Sequence, residues 1–372
     1  MLSSFITLLT PWKAQKHIND DFTFRLHYRL TAFILLVFSI IVTSHQFFGN
    51  PIRCLSRNDV PTPVMDTYCW LQTTYSIVGA WDKPVGSAVP YPGVDVRRPS
   101  EKTVEHAYYQ WVGFVLFLQF ILFSIPRYLW KRVESGLIGE LVLGLHNPIV
   151  SDEELNAKRN IIANYFKTHG FKHQVLFAAY SFCLLLQLLN VFGQAVLVDR
   201  LLDYQFTKFG ISVVETSSAS ATSLTRIFPR MAKCNFYKYG SGGGVQTYDV
   251  VCLLPMNVLN EKVYVFLWFW FVLLVIVTSL SVMAYFVIAV SKSSRLLVFR
   301  FREGLQAGDE LRGVISYFYV GDWFVLYLLS KNMDWYHFNE CVEAVQLSCV
   351  ESKMSRVPRT ERRSKNVKEL HV

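Results

Sequence analysis

The chain has 372 residues, of which 52% are hydrophobic, 15% aromatic and only 17% charged, with a formal net charge of +9. A soluble protein of this length carries about a quarter charged residues, so the composition argues against an ordinary water-soluble fold and toward lipid. The basic excess collects beside apolar segments, which suits a membrane surface, and no nucleic-acid partner is implied.

In chain order, residues 1–29 precede the first apolar window. Met1–Thr10 has no basic stretch and no small-residue cleavage site precedes Arg25, so no cleavable signal is expected and the first span must direct insertion. Leu2, Phe5, Ile6 and Leu9 recur at helical spacing, which turns Ser3, Ser4 and Thr7 toward water. Residues 30–49 form the first predicted span, followed by a long loop over 50–108. Residues 109–128 form the second, whose only charge is Arg127, and a loop over 129–173 follows. The third span covers 174–198 and leads into a loop over 199–262. The fourth covers 263–290 and precedes a C-terminal region over 291–372. Each window is long enough, at about 1.5 Å per residue, to cross a hydrocarbon core of roughly 30 Å. The fourth is over-long and should tilt or project.

Three details refine this layout. Gly313–Ser330 is apolar enough to suggest a fifth span, yet Asp322 sits near its middle, and a carboxylate at the bilayer centre costs about 2.5–3.5 kcal/mol. A helix packed in a domain outside the bilayer is expected instead. Pro126, near the end of the second span, should kink or close that helix. Ser151 and Glu154 form a capping box for a helix in the loop over 129–173.

Arg25, Arg29, Arg127, Lys131, Arg132, Lys167, Lys172, Lys292 and Arg295 flank one set of span ends, while the opposite ends carry mixed charge. The positive-inside rule then places both termini in the cytoplasm and loops 50–108 and 199–262 outside. Cysteine usage agrees. Cys54, Cys69, Cys234 and Cys252 fall in the two outward loops, an even set for an oxidising exterior, whereas Cys183, Cys341 and Cys349 do not. Four cysteines allow three connectivities. The nested one, Cys54 with Cys252 and Cys69 with Cys234, is the hypothesis suggested by their order along the loops, and it would tie both loops into one cap.

"YYQWV" (Tyr108, Tyr109, Gln110, Trp111, Val112) stands at the mouth of the second span, where aromatic rings suit the headgroup layer. With four spans and two cysteines per outer loop, it resembles the signature of the innexins, the invertebrate gap-junction proteins. "FRLHYR" before the first span, "DTYCW" at Asp66–Trp70, "IPRYLWK" after the second span, "IFPRMAKC" at Ile227–Cys234, the run Cys252–Phe271 and "GDWFVLYLL" in the tail extend the likeness over roughly residues 22 to 335. Connexins, which share four spans, use three cysteines per loop rather than two. The chain departs from the family after the second span, with Val133-Glu134-Ser135, and in the glycine run Gly242–Gly244.

The resemblance implies an all-α membrane protein, a four-helix transmembrane bundle with disulfide-tied extracellular loops and a helical cytoplasmic domain, assembled as a large-pore ring. The implied assembly is a homo-octamer that docks with a ring on the adjacent cell, with other innexins and membrane lipids as further partners. Met1, Leu2, Ser3, Ser4, Phe5 and Thr7 would line the cytoplasmic mouth of the pore, and Pro126 would mark a gating kink. The work is permeation, so no catalytic residue, cofactor or metal is implied, and no hydrolase, zinc-protease or phosphate-loop motif occurs. A non-conducting adhesion or junction scaffold is the alternative. The outer loops hold no Asn-X-Ser/Thr sequence, so no glycan of that type would obstruct docking.

Overall fold

The computed structural model describes residues 17–55, 60–98, 100–142, 152–170, 172–208, 210, 224–303 and 309–356. Among them, four helices are long and apolar enough to cross a membrane, and they correspond to the four predicted windows. Helix α1 (Phe22–Phe48) takes a π turn over Leu26–Thr31 before its apolar run. The first long loop then contributes β1 (Arg53–Cys54), α2 (Thr62–Leu71), β2 (Thr74–Ile77) and β3 (Thr103–His106). Helix α3 (Val112–Glu134) does not close at Pro126 but runs eight residues further, although proline leaves the Leu122 carbonyl without its N–H partner.

Helices α4 (Leu137–Val142) and α5 (Asp152–His169) lead to α6 (Gln174–Leu201). The second long loop supplies β4 (Met231–Tyr239) and β5 (Val245–Leu253). Helix α7 (Pro255–Val290) starts on a proline, whose missing N–H is not needed at a first helical position. Its 36 residues make a rod of about 54 Å, well beyond the thickness of a hydrocarbon core. Helices α8 (Lys292–Glu303), α9 (Asp309–Tyr317), α10 (Val320–Ser330) and α11 (Trp335–Arg356) complete the order.

The chain forms two compact units. One comprises Met1–Leu26, Ile125–Gln187 and Val277–Val372; the other comprises His27–Ser124 and Leu188–Ile276.

The second of these contains a five-stranded antiparallel sheet in the order β1-β5-β4-β2-β3. The chain is mostly helical, as expected, but the long loops are not irregular. The β4–β5 hairpin from the second loop is flanked on both sides by strands from the first. Pairing of Arg53 with Leu253 and Cys54 with Cys252 joins them at one edge, and pairing of Tyr75 with Lys233 joins them at the other. The glycine run closes the hairpin: Gly240 N–H donates to Gly244 O, and Gly243 takes φ +79°, a left-handed conformation natural to glycine. In the apolar part of this unit, Ser39 Oγ donates to Gly113 O at 2.9 Å. A Cβ on Gly113 would lie 2.6 Å from Thr43 Oγ1, so α1 and α3 approach through a small residue.

In the first unit, α10 is too short to span a bilayer and is almost wholly buried. Asp322 is fully buried and meets His173 Nδ1 at 2.7 Å, while His173 Nε2 meets the Tyr165 hydroxyl at 2.6 Å. The carboxylate therefore belongs to a packed helical core, as its position in the sequence suggested. A Cβ on Gly321 would fall 2.3 Å from the His173 backbone carbon, so this contact requires glycine. Helix α11 packs on α5 and α9, and Phe299 of α8 stacks on Phe338 at 5.7 Å.

Candidate functional site

Two polar constructions stand out, one in each unit. The first is the sheet and its disulfides. Cys54 on β1 lies directly opposite Cys252 on β5 and is bonded to it, with Cα atoms 3.9 Å apart. Cys69, in the last turn of α2, is bonded to Cys234 on β4, with Cα atoms 5.9 Å apart. The pairing is the nested one, and each bond joins the first long loop to the second. The sulfurs of Cys54, Cys69 and Cys252 lie within 4.8 Å of one another, so the two bonds pack side by side. All are oxidised, which leaves no thiolate there to hold a metal.

Around the disulfides is an apolar core that includes Ile52, Met65, Tyr109, Ala232, Val250 and Leu254. Here the signature acquires its physical meaning. Tyr108–Gln110 form a single 3₁₀ turn ahead of α3. Tyr109 is fully buried, its ring 4.8 Å from that of Trp70, the neighbour of Cys69. Gln110 Nε2 donates to the Trp70 carbonyl at 2.6 Å. The Tyr108 ring meets Phe228 edge-on at 5.7 Å, and Phe228 stacks on Tyr264 at 6.0 Å. Val112 is fully buried.

The disulfide core takes in Tyr109, which therefore does not present its ring to a headgroup layer, while Tyr108 is half-buried and packs against that core. Only Trp111, 60% exposed, remains placed as an interfacial ring would be. Burial pushes the hydroxyls of Tyr108 and Tyr109 above their usual range, and that of Tyr75, in a neighbouring cluster on β2, to about 12, so all three stay neutral.

The second construction holds the segment Ile18–Asp21, just before α1. Ile18 exchanges two hydrogen bonds with the Asn332 side chain, both at 2.6 Å. Asn19 accepts from Arg127 Nη1 and Trp130 Nε1, and donates to Glu134 Oε2. Asp20 pairs with Arg25 at 3.3 Å and Arg127 at 3.2 Å. The Asp21 carboxylate accepts from the hydroxyls of Tyr180, Tyr285 and Tyr327 and pairs with Lys331. Burial opposes ionisation of Asp21, but the Lys331 charge and the hydrogen bonds from Lys331, Tyr285 and Tyr180 outweigh it and hold the carboxyl below its usual range. Side chains from α3, α6, α7 and α10 thus converge on four residues.

Sequence reasoning missed this anchor. The available signal was Asn19-Asp20-Asp21, two acids ahead of an uncharged span on the side otherwise marked by basic residues. Arg127, read only as a topology charge, is instead a buried partner of Asp20. Met1, Leu2, Ser3, Ser4, Phe5 and Thr7, expected to line a pore, lie outside the described residues, as does Ser151 of the expected capping box.

The comparisons with known proteins follow the same features. The Innexin family model matches residues 20–348, from Asp20 of the acidic anchor into α11. The chain belongs to the innexin family. It is 40% identical to "Innexin shaking-B" of Drosophila melanogaster over 96% of this chain and 98% of that protein. It is 42% identical to "Innexin inx2" of Schistocerca americana, covering 87% of this chain and 91% of the relative. A third relative, "Innexin inx2" of Drosophila melanogaster, is 40% identical over 85% of this chain and 87% of its own length. In this innexin the disulfide-locked sheet lies wholly within the matched range, and the anchor lies within it from Asp20 onward.

Proposed function

We propose that this innexin is a subunit of a large-pore channel that passes ions and small molecules between adjacent cells, and that it also opens undocked in a single membrane. The observation that carries the reading is the single sheet built from both long loops and locked by two disulfides. Loops that join spans one to two and three to four leave the bilayer on the same side. Disulfides form and persist in oxidising compartments, which supports placing that side outside the cell. A covalently tied β platform is what a partner in an apposed membrane can dock against. The tip of its β4–β5 hairpin offers an apolar contact, with Tyr239 77% exposed and Tyr237 and Val245 also exposed.

On this reading the protein is a multi-pass component of the plasma membrane at gap junctions, with both termini cytoplasmic. Eight copies form the ring, and Met1–Thr7 line its inner mouth. The acidic anchor fixes the chain immediately behind that mouth, so the pore-lining segment hangs from a rigid base. Pro126 removes one rung of α3 beside Arg127, which grips Asp20, and this supports a gating bend there.

Dual recording from paired cells that each express only this chain tests the reading, with single-cell conductance measured alongside. Junctional current is the expected result. Current in neither arrangement, with the protein shown at the surface, would overturn it in favour of a non-conducting adhesion protein.

A further inference from the structure

The end of α7 and the helix that follows it present apolar side chains to the outside of the unit. Leu280, Met283, Phe286 and Val290 are exposed at helical spacing, the side a spanning helix turns to acyl chains. Helix α8 begins two residues after Val290 and continues in kind. Its Leu297 and Phe301, four residues apart and so on one face, are exposed, Phe301 by 83%.

The opposite face of α8 is fixed. Phe299 is fully buried between Phe338 and Trp323. Arg295 turns back on α7, donating Nε to Ile288 O at 2.9 Å and Nη2 to Ala289 O at 2.7 Å, while its own carbonyl accepts from Trp323 Nε1 at 3.2 Å. These bonds satisfy the last carbonyls of α7 and hold the entry of α8 in place. Lys292 and Arg300 are exposed, Lys292 with one hydrogen bond to Ser316 O, and the single acid in the sequence of α8 is its last residue, Glu303.

We propose that the exposed face of α8 binds anionic phospholipid headgroups, with Leu297 and Phe301 entering the acyl boundary and Arg300, beside them on that face, meeting the headgroup oxygens. Two observations commit the face to lipid. It continues directly from the lipid-facing ridge of a spanning helix, and α8 carries four basic residues against the single acid Glu303, an excess that complements a negative membrane surface. The inference rests on the topology proposed above only in naming the leaflet as the cytoplasmic one.

The test uses the full-length protein in nanodiscs of neutral phosphatidylcholine, or of phosphatidylcholine with phosphatidylserine, each with brominated acyl chains. Phe301→Trp adds one fluorophore, read as a difference from the wild type. The added emission is expected to be quenched by bromine, more strongly with phosphatidylserine. Phosphatidylserine retained by the protein in native mass spectrometry should fall about fivefold for Arg300→Gln and by less for Lys292→Gln, which lies toward the packed face. Quenching that ignores phosphatidylserine, together with unchanged lipid retention, would overturn the proposal. So would an added tryptophan shielded from both bromine and aqueous acrylamide, which would show a neighbouring copy covering the face. None of these readouts depends on conductance, so a conducting chain with an unquenched tryptophan would sink this inference and leave the channel reading standing.

Discussion

Asp21 is a carboxylate in a place where charge is costly, and four donors make it tolerable there. Three tyrosine hydroxyls and Lys331 surround it, and Lys331 is itself nearly buried. Because its folded pKa is lowered, the stability it contributes is fully present above the unfolded carboxylate value of about 4 and is lost only as pH falls through the lower folded value. Near neutral pH the anchor is therefore constant, a fixed base rather than a sensor. Asp21→Asn would strand the Lys331 charge and should destabilise the protein by about 3–5 kcal/mol, read as a lower melting temperature in detergent. Adding Lys331→Met should restore much of the loss. An Asp21→Asn protein that melts with the wild type would show that the anchor carries little.

Among the elements, the sheet edge is where pH acts. His106 on β3 is nearly buried, its Nε2 3.0 Å from Ser76 Oγ on β2, and burial lowers its pKa to about 4. A histidine held neutral in the fold stabilises fully above its unfolded value of about 6.5. That stability is lost as pH falls from there toward 4, by about 3 kcal/mol in all. Hydrogen exchange of the β2–β3 amides should therefore quicken between pH 7 and pH 5 beyond its intrinsic rate, and His106→Gln should flatten the trend. An identical trend in the variant would contradict the assignment.

These elements also show what could be read from sequence. The four spans were legible because lipid admits long runs such as 174–198 only when they lack acids and lysine. The cysteine partition was legible because compartments impose it. The sheet was not read, although Met231–Tyr239 and Val245–Leu253 are nine-residue runs rich in β-branched and aromatic residues around a glycine turn. In the sequence the run Gly242–Gly244 stands out only as a departure from the family, although its flanks carry the hairpin signal. The tyrosines of the signature were placed in lipid because an aromatic residue before a span fits a membrane interface and a protein core equally well. Only the tertiary fold, which sets Trp70 beside Tyr109, decides between them.

For the whole molecule, the disulfides connect covalent structure to function. Each closes a long sequence interval, 198 residues for Cys54–Cys252 and 165 for Cys69–Cys234. Taken alone, the first would contribute up to about 5 kcal/mol in the chain-entropy model, an upper bound because the intervening spans are already confined by the bilayer. Once one bond forms, the second closes only a short remaining ring, so the first bond does most to unite the loops. The channel function needs that union on the exposed side, whereas Cys183, buried in α6, has no part in it. Junctional conductance between paired cells is thus the most direct measurement, made with wild type, Cys54→Ser and Cys183→Ser, each confirmed at the surface by labelling. The account predicts current for wild type and Cys183→Ser and its loss in Cys54→Ser. Full junctional current in Cys54→Ser would contradict it.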